Sequence, residues 1–154
     1  MKIVIATVGK AKKTAEAEMV ARYLKQTRWD VTLKELPDAP ASLPSAERKA
    51  WEAQKIEALL DSDTRLIALD GMGEQLTSPQ FAQVITAAQN QYVKRLVFAI
   101  GGQDGLDTQL LSKAKRVVAF GKATWPHQLV RALLAEQIYR AYTLSIGHPY
   151  HSGH

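Results

Sequence analysis

The chain has 154 residues, 46% of them hydrophobic and 23% charged, which is the balance of one globular domain long enough to bury a core. It contains no cysteine, which excludes disulfides, thiolate metal sites and cysteine nucleophiles and fits the cytoplasm; no apolar run approaches the roughly 20 residues that cross a bilayer. The formal charge of +5 and a pI near 9.5 point to a polyanionic partner, or to nothing more than a solvated basic surface.

Ile3 to Val8 reads as a buried first strand and is too short for a signal segment. Thr14 to Thr27 has a helical period, with Ala17, Val20, Ala21 and Leu24 on one face. Val31 to Leu36 alternates like a half-buried strand, and Pro37, Pro40 and Pro44 punctuate the loop that follows. Ser45 is a plausible cap for a helix running to about Leu60. Arg65 to Leu69 is a third strand, broken by Asp70-Gly71-Met72-Gly73. Ser78-Pro79 starts a helix, with proline suited to the first turn. Leu96 to Ile100 is a fourth strand, Gly101-Gly102-Gln103-Asp104-Gly105 a loop, and Arg116 to Phe120 a fifth strand after a short helix. Pro126 opens the last helix. The alternation predicts a single α/β domain over 1–154, with a mostly parallel sheet and helices on both faces.

In such sheets ligands collect beyond the carboxyl ends of the strands. The turn after the first strand, Gly9-Lys10-Ala11-Lys12-Lys13, carries neither a Rossmann fingerprint nor a P-loop. Glycine-bearing strand ends occur instead after Leu69, at Gly101-Gly102 and at Phe120-Gly121-Lys122. Each alone reads as an ordinary tight turn. Three in succession point to a pocket lined by backbone.

The last helix carries Leu129, Val130, Leu133, Leu134, Ile138 and Ala141 as a wide apolar stripe, which packs on the sheet or on a second subunit. Glu136 and Arg140 stand at i, i+4, the spacing of a helix ion pair. His127 and Arg131 share a face, where they meet a phosphate or a base, or simply decorate the surface. His148, His151 and His154 are three apart, but Pro149 prevents a regular helix from aligning them and no carboxylate lies nearby. Metal ligation is not expected.

Pro126-His127-Gln128-Leu129-Val130-Arg131, then Glu136-Gln137-Ile138-Tyr139-Arg140-Ala141, then His148-Pro149-Tyr150-His151 form the most specific combination in the chain. With the Met1-to-Gly9 strand, Leu69-Asp70 and Ile100-Gly101-Gly102-x-x-Gly105, the chain closely resembles the RlmH family nearly end to end. These are small SPOUT-class methyltransferases acting on N3 of a pseudouridine in large-subunit (23S) ribosomal RNA. The resemblance implies a C-terminal trefoil knot, a rare exception to the usual connection rules. It implies S-adenosylmethionine bound in that knot, and a homodimer whose active site draws on both subunits. The cofactor contacts it implies are Leu69, Gly101, Gly102 and the loop Phe120, Gly121, Lys122, Ala123, Thr124 and Trp125. Candidates for removing the N3 proton or placing the base are His127, His148, Tyr150 and His151. Arg131, Arg140, Lys10, Lys12 and Lys13 are candidates for holding RNA phosphates, with the Glu136 ion pair the competing role for Arg140.

The chain departs from the family pattern twice. Gln103-Asp104 stands where the family often has Pro-Glu, and Ser152-Gly153-His154 stands where it often ends in a basic residue. Two other functions share the fold: methylation of transfer RNA, and a non-catalytic RNA-binding dimer.

Overall fold

In the computed structural model, which describes residues 1–152, all five apolar runs become parallel strands. They are β1 (Lys2–Val8), β2 (Val31–Leu36), β3 (Thr64–Gln75), β4 (Arg95–Ile100) and β5 (Arg116–Ala119). The sheet order is β2-β1-β4-β3-β5, with every pairing parallel. All carboxyl ends therefore lie along one edge. Helices cover both faces: α1 (Ala15–Gln26), α3 (Ser78–Asn90) and α5 (His127–Ser145) on one, α2 (Ser45–Glu57) and α4 (Thr108–Lys113) on the other. Strands buried on both faces have no polar side to alternate with, hence the unbroken apolar runs of β1 and β4.

The face under α3 and α5 is the larger core. Ile3, Ile5, Ile67, Leu96 and Phe98 of the sheet meet Phe81 and Ile85 of α3 and Leu134 and Ile138 of α5. On the other face Ala6, Val8, Val97 and Ala99 meet Ala53 and Ile56 of α2 and Leu110 of α4. No helix of the described residues is long and apolar enough to cross a membrane.

Four local expectations need correction. Ser45 does not cap α2; Pro44 takes the cap position and the Ser45 hydroxyl bonds Asp104 instead (3.1 Å). That helix ends at Glu57, three residues before Leu60. On α1 Ala21 is exposed, and Met19, Tyr23 and Leu24 flank the buried Val20 against α5. The segment Asp70–Gly73 does not end β3. The strand leaves its ladder there and returns, so that Val118 of β5 pairs with both Leu69 and Glu74. A Cβ on Gly73 would stand 2.7 Å from the Val117 backbone, so the return strand passes where only glycine fits. The bulge thrusts Met72 into solvent at 94% exposure, beside the carboxyl ends of β3 and β5. Bulges of this kind commonly re-aim side chains next to functional sites.

Thr77 caps α3 reciprocally: its hydroxyl accepts the Gln80 N–H (3.2 Å) and Gln80 Oε1 accepts the Thr77 N–H (2.8 Å). Beyond α5 the chain turns at Gly147 (φ +68°), where His148 N–H bonds Thr143 C=O at 2.9 Å. A short 3-10 turn, Pro149–His151, then lies back on α5.

Candidate active site

A cavity of about 470 Å³ opens at the carboxyl ends of β3, β4 and β5. Its wall comes from three loops, and it includes all nine residues expected to contact a cofactor: Leu69, Gly101, Gly102 and Phe120 through Trp125. The glycine-bearing strand ends thus converge because β3 and β5 flank each other and β4 lies next to β3. Asp70, Met72, Gln103 and Val130 also line it. No periodicity marks Asp70, Met72 or Gln103, but each sits within a few residues of a position the glycines point to; Val130 belongs to the apolar stripe of the last helix.

The loop after β5 is stapled by Trp125, whose indole N–H donates to Phe120 C=O at 2.9 Å. Its ring stays 41% exposed at the cavity wall. Asp70 is the one carboxylate among the described lining residues, and its Oδ2 is engaged by the Met72 N–H (2.9 Å). Lys122 brings an exposed ammonium and His127, first residue of α5, an imidazole. The arrangement can therefore take a ligand with both an extended apolar part and charged groups.

Glycine is required at 101, though not for ligand approach alone. A Cβ there would stand 2.6 Å from the Gly105 carbonyl carbon and 2.9 Å from Leu106 N. The loop folds onto itself so tightly that its own backbone occupies the space. Asp104 anchors the loop despite its short stem: it accepts Arg48 Nε at 2.9 Å and Nη2 at 3.0 Å. The guanidinium and the Ser45 hydroxyl hold this carboxyl below the usual carboxylate range.

The remaining candidates separate. Only His127 of the four proton-handling candidates lines the cavity. His148, Tyr150 and His151 lie on the tail, which packs against α5 of its own chain. Tyr150 stacks edge-on against Tyr139 (centroids 4.7 Å apart) and sits under the Arg140 guanidinium (4.9 Å). Its phenol bonds Glu136 Oε1 at 3.0 Å. Burial, then the hydrogen bond with Tyr23 and the Glu136 charge, push its pKa up. His148 Nδ1 accepts the Tyr150 N–H (3.1 Å), and Nδ1 of His151 is buried without a partner among the described residues. His154 and Gly153 lie outside the described residues; within those described, no group of three or more metal-binding side chains assembles.

Arg131 is a correction. It is 2% exposed and cannot reach a phosphate. Its Nη1 pairs with Glu35 Oε2 (3.1 Å), and its Nη2 donates to the carbonyls of Val8 (3.1 Å) and Gly9 (2.8 Å). Arg140 makes the ion pair that its spacing foretells, with Nε and Nη2 at 2.9 and 2.6 Å from Glu136 Oε1, which occupies two of its donor groups. Lys10, Lys12 and Lys13 are exposed on the loop after β1, along the edge that holds the cavity.

Residues 1–151 match the family described as predicted SPOUT methyltransferases. A protein of Xanthobacter autotrophicus called ribosomal RNA large subunit methyltransferase H is 42% identical over 159 residues, covering 98% of this chain and 99% of the relative. Its namesake from Bradyrhizobium diazoefficiens is 39% identical over 161 residues, with 98% and 99% covered. Among solved structures, a probable methylase family protein from Haemophilus influenzae superposes with a TM-score of 0.59 at 14% identity, covering 98% of this chain and 70% of that one. That likeness speaks for the fold alone.

Proposed function

The chain belongs to the SPOUT methyltransferase family, and we propose that it carries a methyl group from S-adenosylmethionine to N3 of a pseudouridine in large-subunit ribosomal RNA, as a homodimer on the assembled ribosome in the cytoplasm. The substrate follows from the relatives called ribosomal RNA large subunit methyltransferase H, which match end to end. What carries the reading in the structure is the convergence of the Leu69, Gly101 and Phe120–Trp125 loops on one cavity. These loops are where the family places its knot and its donor, and residues 1–154 would act as one domain around them.

The cavity fits a donor of this kind. Its volume of about 470 Å³ suits a nucleoside carrying an amino-acid arm. Gly101, Gly102 and Gly121 would present backbone to it, Trp125 and Phe120 an apolar wall, and Asp70 and Lys122 charges of both signs. The donor supplies a methyl on a sulfonium, already electrophilic. The chain has to align the acceptor nitrogen and take its proton. His127, which lines the cavity, would serve the second task. Lys10, Lys12 and Lys13 would hold phosphates.

The dimer is supported by the division of α5. Leu134, Ile138 and Ala141 are consumed by the core, whereas Leu129 and Leu133 remain half-buried and outside the core clusters. The described residues of the tail are also absent from their own chain's cavity wall, and a partner's tail would bring His148 and Tyr150 to the site.

Two measurements test this. Radiolabelled donor is expected to label RNA in whole ribosomes and not transfer RNA. Label in transfer RNA alone would make the chain a transfer RNA methyltransferase, and donor binding with no transfer anywhere would make it an RNA-binding dimer. Calorimetry is expected to show S-adenosylmethionine binding that Gly101→Val abolishes. The branched side chain forces the loop off the Gly105 carbonyl carbon, 2.6 Å from the first added atom, and so collapses the cavity wall.

A further inference from the structure

Helix α2 meets the Gly101–Gly105 loop through polar and charged groups, and one carboxylate oxygen among them has no hydrogen-bond partner among the described residues. Arg48 and Ser45 bind Asp104, as described. One turn on, Glu52 is 7% exposed. Its Oε2 accepts the Ala39 N–H at 3.0 Å, while Oε1 is buried with no hydrogen-bond partner among the described residues. Oε1 faces Gly102. A methyl added to Gly102 would stand 3.3 Å from that oxygen and 3.1 Å from Val8 Cγ1. Glu52 does not itself line the cavity, but Gly102 does.

A half-bonded carboxyl is a costly filler. Burial raises its pKa, Asp38 and Asp104 nearby add to this, and only the Ala39 N–H and Arg48 oppose it. An apolar side chain of similar length would fill the same space at lower cost. The carboxyl does, however, offer something an apolar group cannot: a rigid polar wedge, fixed on one side by the Ala39 amide, with its other oxygen set against the glycine loop.

We infer that Glu52 is a positioning residue of the donor site, its carboxyl setting where the Gly101–Gly105 backbone stands along the cavity wall. It acts through Gly102 and does not touch the donor. Arg48 and Asp104 hold the outer turn of the loop, and Glu52 holds its inner end against β1 and β4. The inference rests on the reading of the cavity as a donor site, so the test includes a readout that needs no donor.

Amide hydrogen exchange of the ligand-free protein and calorimetry with S-adenosylmethionine are compared across variants. Glu52→Gln keeps the length and an oxygen for the Ala39 N–H, and both readouts are expected to stay within about threefold of the parent. Glu52→Met keeps the length and loses the acceptor. Protection of amides 101–105 is then expected to fall about tenfold with β1 and β4 unchanged, donor Kd to rise about tenfold, and kcat at saturating donor to move little. Unchanged loop protection in Glu52→Met overturns the inference. Lost loop protection in a protein whose parent binds no donor sustains it and overturns the donor reading instead. Should Glu52→Met not fold, Gly102→Ala tests the contact from the other side. It is expected to loosen the loop, and Glu52→Asp in the same chain, one methylene shorter, to restore part of the loss; strictly additive losses overturn the inference.

Discussion

Arg131→Met is expected to destabilise the protein by about 3 kcal/mol, the cost of stripping one partner from a buried ion pair and its hydrogen bonds. Glu35 is 31% exposed at its side chain and regains water, so its share of the loss is small. The Val8 and Gly9 carbonyls lose the guanidinium that bonds them at 3.1 and 2.8 Å, and buried acceptors left without donors carry most of the cost. For a chain of this size the melting temperature is expected to fall by about 10 °C. Lysine should not rescue it, because one ammonium cannot reproduce a planar fork that meets a carboxylate and two carbonyls at once. Thermal melts of Arg131→Met and Arg131→Lys check this. A phosphate-binding role gives the opposite pattern: unchanged melting, weaker ribosome binding and a shallower salt dependence.

The same arginine shows where sequence reading stops. Its type and its spacing from His127 are visible in the chain, and a cation on a helix face beside a loop reads as an RNA contact. Its acceptors are backbone carbonyls more than 120 residues away, and a carbonyl leaves no mark in the sequence. Glu52 is hidden for the same reason, since its hydrogen-bond donor is the Ala39 amide and its second oxygen faces Gly102, which has no side chain. The strands were legible because a parallel sheet covered on both faces demands uninterrupted apolar runs. The bulge at Asp70–Gly73 was legible only as a break, because Gly73 marks the interruption while the return to Val118 depends on where β5 lies. The three glycine loops located the cavity correctly, though at Gly101 the glycine answers to the loop's own backbone. The Glu136–Arg140 pair was legible from spacing alone. That Tyr150 joins it was not, since no spacing in the sequence says that the tail folds back on α5.

Deleting residues from His148 onward is expected to lower turnover by about a hundredfold or more while donor binding changes little, since misplacing a reacting group costs rate without touching the cofactor's own contacts. The fold should survive. Around the Tyr150 ring the tail meets half-buried groups of α5, Glu136, Tyr139 and Arg140, and Tyr23 of α1; losing one aromatic pair, one cation–π contact and the phenol's hydrogen bonds costs about 2–4 kcal/mol. Tyr150→Ala should reproduce much of the defect, and replacing Ser152 to His154 should do little. Because the described residues of the tail do not line the cavity of their own chain, the sharper test uses two different chains. One protomer carries the deletion, the other Gly101→Val, and heterodimers are isolated with two tags. If the partner's tail completes each site, the deleted chain's cavity meets an intact tail, and about half of the two-site activity is expected to return. If each tail serves its own cavity, neither site is whole and the heterodimer is inactive. Near-normal ribosome methylation by the fully deleted chain would show instead that the tail is only a cover for Glu136 and Tyr139.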